Sequence, residues 1–165
     1  MLYDILRRLL IFLMLLLAQV LVLNRIQLFY CATPLLYVYF AVIFPRNYPR
    51  WAIMLWCFFL GLAVDVFSNT RGVAAASMTL AGFLQPFLVE LFLPRDAEEN
   101  IKASASALGF SKFAALSTIL VTAYCLVFFA LESFSFFNWL QWIECVVGSA
   151  MLTLALIFTF ESIRK

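Results

Sequence analysis

Six long apolar runs constrain the fold of this chain more than any other feature of its sequence. A helix that crosses a bilayer needs about 20 predominantly apolar residues, within a range of about 17–25. Because 66% of the 165 residues are hydrophobic and only 12% are charged, a soluble fold of this size could not bury the apolar surface. The sequence therefore predicts an all-α integral membrane protein, with one transmembrane domain over residues 1–165. That domain is a bundle of six transmembrane helices, with spans at approximately 5–23, 28–44, 51–67, 73–93, 113–131 and 139–160.

The basic residues predict the orientation of this bundle. Six spans place both termini and the loop 94–112 on one side of the membrane. Nine of the 11 lysines and arginines fall on that side, and only Arg25 and Arg71 fall on the other. Because cytoplasmic loops carry the excess of basic residues in multi-pass proteins, both termini are predicted to be cytoplasmic. Arg7 and Arg8 also resemble the start of a signal peptide, but the run after them is long and no A-x-A site follows it, so we interpret it as an uncleaved span.

Several kinds of site are excluded by what the chain lacks. It contains no histidine, which excludes His-based acid–base catalysis, His metal ligation and a Ser-His triad. Its four cysteines stand alone in apolar runs without a C-x-x-C pair, a pattern typical of buried small side chains rather than of a zinc or redox site. We therefore expect no catalytic residues, no metal, no cofactor and no nucleic-acid partner.

The segment 61–77, GLAVDVFSNTRGVAAAS, places an aspartate, Asp65, before the third apolar run has ended. A charged side chain costs about 2.5–3.5 kcal/mol at the centre of a span and less near the interface. The connection 68–72 is very short, and the backbone N–H groups at the start of the next helix have no helical partners. In a membrane such groups must be satisfied inside the protein, and a carboxylate at position 65 can accept their hydrogen bonds.

The other polar residues of this corner, residues 61–77, offer further partners. Asn69 and Thr70 can donate to the carboxylate, Arg71 can pair with it, and Gly72 allows backbone angles that other residues avoid. The sequence thus predicts a helical hairpin that is tied down by Asp65. The alternative interpretation is that the corner also forms a docking site for a partner.

Small residues and prolines predict how the helices pack and bend. Small side chains let helix backbones approach closely in lipid, and a proline removes one helical hydrogen bond. The predicted packing stripe of the fourth span contains Ala74, Ser77, Ala81 and Gly82, and the sixth span carries a similar stripe at Ser149 and Thr153. The predicted kinks and turns lie at Pro45, Pro49, Arg50, Pro86, Pro94 and Arg95, with a further proline, Pro34, inside the second span.

Three segments together resemble the rod shape-determining protein MreD family of bacterial inner-membrane proteins. They are FPRNYPRW (44–51), FFLGLAVDVFSNTRGVAAAS (58–77) and LQPFLVELFLPRD (84–96). The Gly-Leu…Asp…Gly pattern of the family falls here on Gly61, Leu62, Asp65 and Gly72, and its Pro-Arg pairs fall on Pro49–Arg50 and Pro94–Arg95. The resemblance covers about 45–95 and carries over no role for Arg71.

The resemblance implies a non-enzymatic subunit of the cell-elongation machinery in the bacterial inner membrane. Members of the family associate with the single-span protein MreC. They work with the filament protein MreB, the glycosyltransferase RodA and a class B penicillin-binding protein. The implied mechanism is that a groove of the bundle holds the partner's span, and that this contact helps to control peptidoglycan synthesis and cell shape. The implied fold is similar to the six-helix substrate-binding subunits of ECF transporters.

Two alternatives to this scaffold hypothesis make different structural predictions. The scaffold hypothesis predicts a lateral groove for a partner helix and no enclosed ligand cavity. A small-molecule-binding subunit of the ECF type, for a vitamin-like substrate, predicts an outward-facing pocket for which Asp65, Gln85 and Glu144 are the candidate lining residues. The third hypothesis, a membrane enzyme acting on lipid-linked substrates, is weakened because no set of carboxylates clusters on one helical face. Membrane lipids are expected partners in every case.

Overall fold

We describe the fold from a computed structural model, in which residues 2–25, 32–93, 105–133 and 138–164 are described. Within these ranges the regular structure is helical, and no β-strand is present. The helices are α1 (Leu2–Leu21), α2 (Tyr39–Val42), α3 (Arg50–Ser68), α4 (Val73–Phe92), α5 (Ala105–Leu108), α6 (Phe110–Ser133) and α7 (Trp139–Arg164). Two single 3-10 turns, Leu23–Arg25 and Leu36–Val38, lie before α2. The all-α fold class predicted from the apolar runs is confirmed for the described residues.

Four of the described helices, α3, α4, α6 and α7, are long and apolar enough to cross a membrane. They occupy the predicted third to sixth spans with ends that differ by a few residues. Helix α1 is 20 residues long, but its first half carries the three charged residues Asp4, Arg7 and Arg8. The chain is thus a multi-pass membrane protein, and α1 is not among the four helices that are long and apolar enough to cross the membrane.

The predicted second span, 28–44, is not one continuous helix. Residues 28–31 lie outside the described ranges, residues 32–35 are not helical, and only Leu36–Val42 adopts helical turns. We call residues 32–44 the broken segment. Its physical cause is Pro34, which lacks an N–H donor and disfavours helical angles at the preceding residue. Every residue from Pro34 to Val42 is buried, so the irregular backbone is shielded from lipid by protein.

The broken segment crosses the bundle beside α7. Near its start, Thr33 is bonded to Ser149, and further along Tyr39 is bonded to Glu161. Twelve residues of α7 correspond to about 18 Å at 1.5 Å per residue, and the broken segment covers this distance with six residues. An extended backbone rises about 3.3 Å per residue, so the non-helical residues at its start make the crossing possible.

The two ends of the bundle differ in composition. One end contains the connection between α3 and α4, and we call it the corner end. At the opposite end, which we call the basic end, Arg8 stacks on Tyr48 with its guanidinium 3.8 Å from the ring centroid. Arg7 and Arg164 line the same groove at the basic end, so α1 begins where α7 ends.

The core is formed by α3 against α4, α4 against α6 and α6 against α7, with the broken segment in contact with α1, α4, α6 and α7. Its largest fully buried side chains include Tyr37, Phe40, Phe113 and Tyr124. The predicted loop 94–112 contains the short helix α5, and α6 begins at Phe110, before the predicted end of the loop. Two residues predicted to shape this region, Pro94 and Arg95, lie outside the described ranges.

Candidate functional site

The Asp65 carboxylate binds the first turn of α4. Its Oδ1 accepts a hydrogen bond from the backbone N–H of Ala74 at 3.0 Å, and its Oδ2 accepts one from Ala75 at 2.8 Å. The Thr70 hydroxyl donates a third hydrogen bond to Oδ1. The first N–H groups of a helix have no backbone acceptor, and a negative charge at a helix N-terminus also interacts favourably with the helix dipole. Asp65 therefore acts as the N-terminal cap of α4 from the preceding helix.

Gly61 allows the Asp65 carboxylate to reach the first turn of α4. A Cβ atom at position 61 would lie 2.6 Å from the backbone oxygen of Ala74 and 2.6 Å from the Cα of Ala75. Only a residue without a side chain allows α3 and α4 to approach this closely. Asp65 follows Gly61 by four residues, about one helical turn, so its carboxylate is held beside the same two residues of α4.

The connection itself uses two residues with left-handed backbone angles. Asn69, at φ 55°, ends α3 and donates its backbone N–H to the carbonyl of Asp65. The backbone N–H of Thr70 donates to the same carbonyl at 3.1 Å. Gly72, at φ 78°, immediately precedes α4, and such an angle is strained for a residue with a side chain. Arg71 is exposed, and among the described residues it forms no ion pair with Asp65.

The packing stripe of α4 lies inside the bundle. Ala74, Ser77 and Ala81 are each at most 1% exposed. A Cβ atom at Gly82 would lie 3.0 Å from the Cys57 Sγ of α3, so α3 and α4 remain close along most of their length. A partner's helix cannot reach this stripe unless the bundle opens.

The prolines and Arg50 organise the basic end. Pro45 and Pro49 accept backbone hydrogen bonds in the turn before α3, and Pro49 directly precedes that helix. Arg50 forms an ion pair with Glu90 at 3.0 Å, which joins the start of α3 to the end of α4. Helix α4 continues through Pro86.

The broken segment is held by four polar side chains whose role the sequence did not reveal. Gln19 donates from Nε2 to the Pro34 carbonyl at 3.0 Å and accepts at Oε1 from the Leu36 N–H at 3.2 Å. Ser149 accepts from the Thr33 N–H at 3.1 Å, and Thr153 accepts from the Leu35 N–H at 3.0 Å. Gln85 donates to the Phe44 carbonyl at 3.1 Å. Each bond satisfies a backbone group that a continuous helix would have paired internally.

These assignments change the interpretation of three predicted residues. Ser149 and Thr153 were predicted to form a packing stripe, and their hydroxyl groups also serve as acceptors for the broken segment. Gln85 was a candidate pocket residue, and its amide is bonded to backbone instead. Two features of the sequence indicate this arrangement: Pro34, which disfavours a continuous helix, and Gln19, a polar side chain inside an otherwise apolar run.

A cavity of about 550 Å³ lies at the corner end. Residues from the ends of α1, α3 and α6, from the start of α4 and from the broken segment line it, among them Thr70 and Tyr37. The Tyr37 hydroxyl is hydrogen-bonded to that of Tyr124 in the core. Neither Asp65, Gln85 nor Glu144 is among the lining residues.

A lateral groove of about 570 Å³ lies between α1 and α7. Its walls are apolar side chains of α1, such as Leu10, Met14 and Leu17, and its floor includes Tyr39 and Ile43 of the broken segment. The structure thus contains two concave features, the groove between α1 and α7 and the cavity at the corner end.

Comparison with known proteins adds no assignment, because no family model matches the chain, no curated protein matches it in sequence, and no solved structure matches its fold. Within the described ranges, no group of three or more cysteines and carboxylates is placed to hold a metal ion.

Proposed function

We propose that this protein is a non-enzymatic subunit of a bacterial cell-elongation complex and binds the membrane span of an MreC-like partner. The proposal takes the partner and the process, control of peptidoglycan synthesis and cell shape, from the resemblance of residues 45–95 to the MreD family. It places the protein in the inner membrane with both termini in the cytoplasm. Any link to an MreB-like filament, a RodA-like glycosyltransferase or a class B penicillin-binding protein is indirect in this proposal.

The observation that carries the proposal is the groove between α1 and α7. One wall is α7, which is long and apolar enough to cross a membrane, the other wall is α1, and residues of the broken segment form the floor. Met14 and Leu10 are 63% and 59% exposed, so they are available to pack against an apolar helix from outside the chain. In lipid, helices associate through close packing rather than through the hydrophobic effect, and a groove offers more packing surface than a convex face.

Arg7 and Arg164 at one end of the groove extend this argument. They lie at the basic end, which the proposed orientation places in the cytoplasm. An acidic or polar residue just before the partner's span could pair with them, because exposed charges at an interface contribute to register and specificity.

Two alanine substitutions test the groove without adding charge to a membrane segment. Ala18→Phe places a ring in the groove, whose lining includes Ala18. Ala76→Phe places the same ring on α4, where residue 76 is exposed. The full chain is co-purified from membranes with a tagged MreC-like partner, and the ratio of the two proteins is measured. We expect Ala18→Phe to reduce recovery of the partner several-fold and Ala76→Phe to leave it unchanged.

Equal recovery with both variants would exclude the groove as the binding site. Recovery of no MreC-like partner with the wild-type chain would exclude the proposed function itself. Because both substitutions replace alanine with the same apolar residue, a difference between them cannot come from membrane insertion alone.

A further inference from the structure

The cavity at the corner end contains two charges of opposite sign. Arg25, which ends the 3-10 turn after α1, and Glu132, near the end of α6, both line it. Within the part of the chain that the structure describes, neither side chain forms a hydrogen bond or an ion pair, and they are not paired with each other. Arginine offers only donors and an ionised glutamate only acceptors. The cavity therefore presents one positive and one negative group, and no atom of the described residues pairs with either of them.

Three further polar groups of the cavity are held by hydrogen bonds to other residues. The Thr70 hydroxyl is bound to Asp65, and the Tyr37 hydroxyl is bound to Tyr124. The Thr33 backbone N–H is bound to Ser149. Side chains that are held by bonds behind the cavity wall lose little freedom when a ligand arrives, which favours binding. This wall of the cavity is thus preformed, and it depends on the corner and on the broken segment together.

The rest of the lining is largely apolar. Leu35, Phe67 and Phe128 are among its side chains. Small-molecule sites are typically clefts of about 300–1,000 Å³ in which apolar walls surround a few converging polar groups. The volume of about 550 Å³ falls in this range. A ligand that fits this cavity therefore has two charged groups of opposite sign and an apolar part.

We propose that the cavity binds a zwitterion whose anionic group contacts Arg25 and whose ammonium group contacts Glu132. Two sources carry this chemistry: a free amphipathic amino acid and the headgroup of a zwitterionic phospholipid such as phosphatidylethanolamine. The proposal is independent of the groove between α1 and α7, and it holds whether or not an MreC-like partner binds there.

Binding of single-charge compounds separates this proposal from non-specific attraction. The full chain is purified in an uncharged detergent, and binding is measured by titration calorimetry. The zwitterionic probes are glycerophosphoethanolamine and phenylalanine. Their controls lack one charge each: ethanolamine and phenethylamine lack the anion, and glycerophosphoglycerol and phenylpropionate lack the ammonium. We expect at least one zwitterion to bind about tenfold or more tightly than both of its controls, because each control lacks one of the two charge-assisted contacts.

Neutral variants assign the two charges. Arg25→Gln should weaken binding of the zwitterion about tenfold or more and leave binding of ammonium-only probes unchanged. Glu132→Gln should also weaken binding of the zwitterion about tenfold or more, but it should leave binding of anion-only probes unchanged. Arg71→Gln, which removes an exposed arginine that does not line the cavity, should change neither. The thermal unfolding midpoint of each variant without ligand shows that the fold is intact.

Native mass spectrometry of the protein from membranes that contain phosphatidylethanolamine identifies the source. Retention of this lipid by the wild type and its loss from both charge variants supports a headgroup ligand. Binding of phenylalanine without lipid retention supports a free solute. The proposal is overturned if no zwitterion binds more tightly than its single-charge controls, or if Arg25→Gln and Glu132→Gln bind like Arg71→Gln.

Discussion

The corner and the broken segment both contain backbone groups that polar side chains satisfy, but the bonded residues lie at very different distances along the chain. In both, backbone groups in a membrane lack helical partners, and polar side chains satisfy them. In the corner, Asp65 is separated from its three partners by 5, 9 and 10 residues. In the broken segment, two of the bonds join residues that are 116 and 118 positions apart. The corner can therefore form within one helical hairpin, whereas the broken segment requires α7 to be in place.

This difference predicts an order of assembly. A hairpin of two adjacent spans can acquire its cap as soon as both helices are inserted. Thr33 and Leu35 have no acceptors until Ser149 and Thr153 have been synthesised and packed. Unpaired backbone groups are costly in the membrane interior. We therefore expect the broken segment to be the last part of the bundle to become ordered.

The largest effect should follow from Asp65→Ala, which removes the corner's cap. The substitution leaves the N–H groups of Ala74 and Ala75 without acceptors in a buried site, and each such loss costs about 1–3 kcal/mol, more when the partner is charged. We expect the free energy of unfolding to fall by about 3–5 kcal/mol and the amount of folded protein in membranes to fall with it. Unfolding in detergent, followed by tryptophan fluorescence, measures this change.

Glu144→Ala is the matched control for Asp65→Ala. Glu144 is also a carboxylate at one end of a membrane-spanning helix, but its side chain is exposed. The control should unfold like the wild type. If Asp65→Ala were as stable as Glu144→Ala, the carboxylate would not be what holds α3 to α4.

The next largest effect should follow from Gln19→Leu, which removes two hydrogen bonds that hold the broken segment. The substitution leaves the Pro34 carbonyl and the Leu36 N–H unpaired in the core, with an expected loss of about 2–4 kcal/mol in the free energy of unfolding. Gln85→Leu is the graded comparison, because it leaves only the Phe44 carbonyl unpaired. A loss for Gln85→Leu equal to that for Gln19→Leu would show that the number of unpaired backbone groups does not determine the effect.

The same comparison explains what could be predicted from the sequence. The helical class and four of the spans follow from apolar runs alone, because a continuous helix satisfies its own backbone. The corner could be interpreted because Asp65, Thr70 and Gly72 are neighbours in the sequence, and short-range geometry limits which groups they can reach. The family resemblance included Gly61 in its pattern, but the close approach of α3 and α4 at this residue was not predicted.

The broken segment could not be predicted in the same way. Hydropathy averages over the run 28–44 and does not distinguish a continuous helix from an extended stretch buried in protein. Pro34 indicated a kink, but the extent of the break depends on Gln19, Ser149 and Thr153, which lie on other helices. The lining of the cavity could not be predicted for the same reason, because its residues come from α1, α3, α4, α6 and the broken segment.

An intermediate effect should follow from Gly61→Ala. In most helix interiors this substitution stabilises by up to about 1 kcal/mol, because alanine has the higher helix propensity. Here the new Cβ atom would lie 2.6 Å from the backbone of α4, and backbone cannot move aside as a side chain can. We expect a net loss of about 1–3 kcal/mol in the free energy of unfolding, measured as for Asp65→Ala.

Gly148→Ala provides the matched control for the close approach. A Cβ atom at position 148 would lie 3.1 Å from the Cβ of Ala32, and a small shift of one methyl group relieves that contact. The control should be close to neutral. A stabilising effect of Gly61→Ala would mean that α3 and α4 are further apart at this level than the structure shows.

The smallest effect should follow from Arg50→Gln. This substitution removes an exposed charge that joins the same two helices as the buried Asp65, so it tests whether burial or charge alone determines how much the Asp65 carboxylate stabilises the corner. Arg50 and Glu90 also join α3 to α4, at 3.0 Å, but their side chains are 57% and 50% exposed. Water and salt screen such a pair, and exposed ion pairs typically contribute about 0–1 kcal/mol. Arg50 also lies over the Phe87 ring, 4.9 Å from its centroid, a contact worth about 0.5–1 kcal/mol at an exposed site.

A double-mutant cycle with Glu90→Gln separates the ion pair from the contact with the ring, because only the ion pair disappears in both single variants. We expect the coupling energy of the pair to stay below about 1 kcal/mol and to shrink in high salt, whereas the loss caused by Asp65→Ala should not depend on salt. A coupling as large as the Asp65 effect would mean that the same two helices are held equally at both ends, and that burial of the carboxylate adds nothing to its strength.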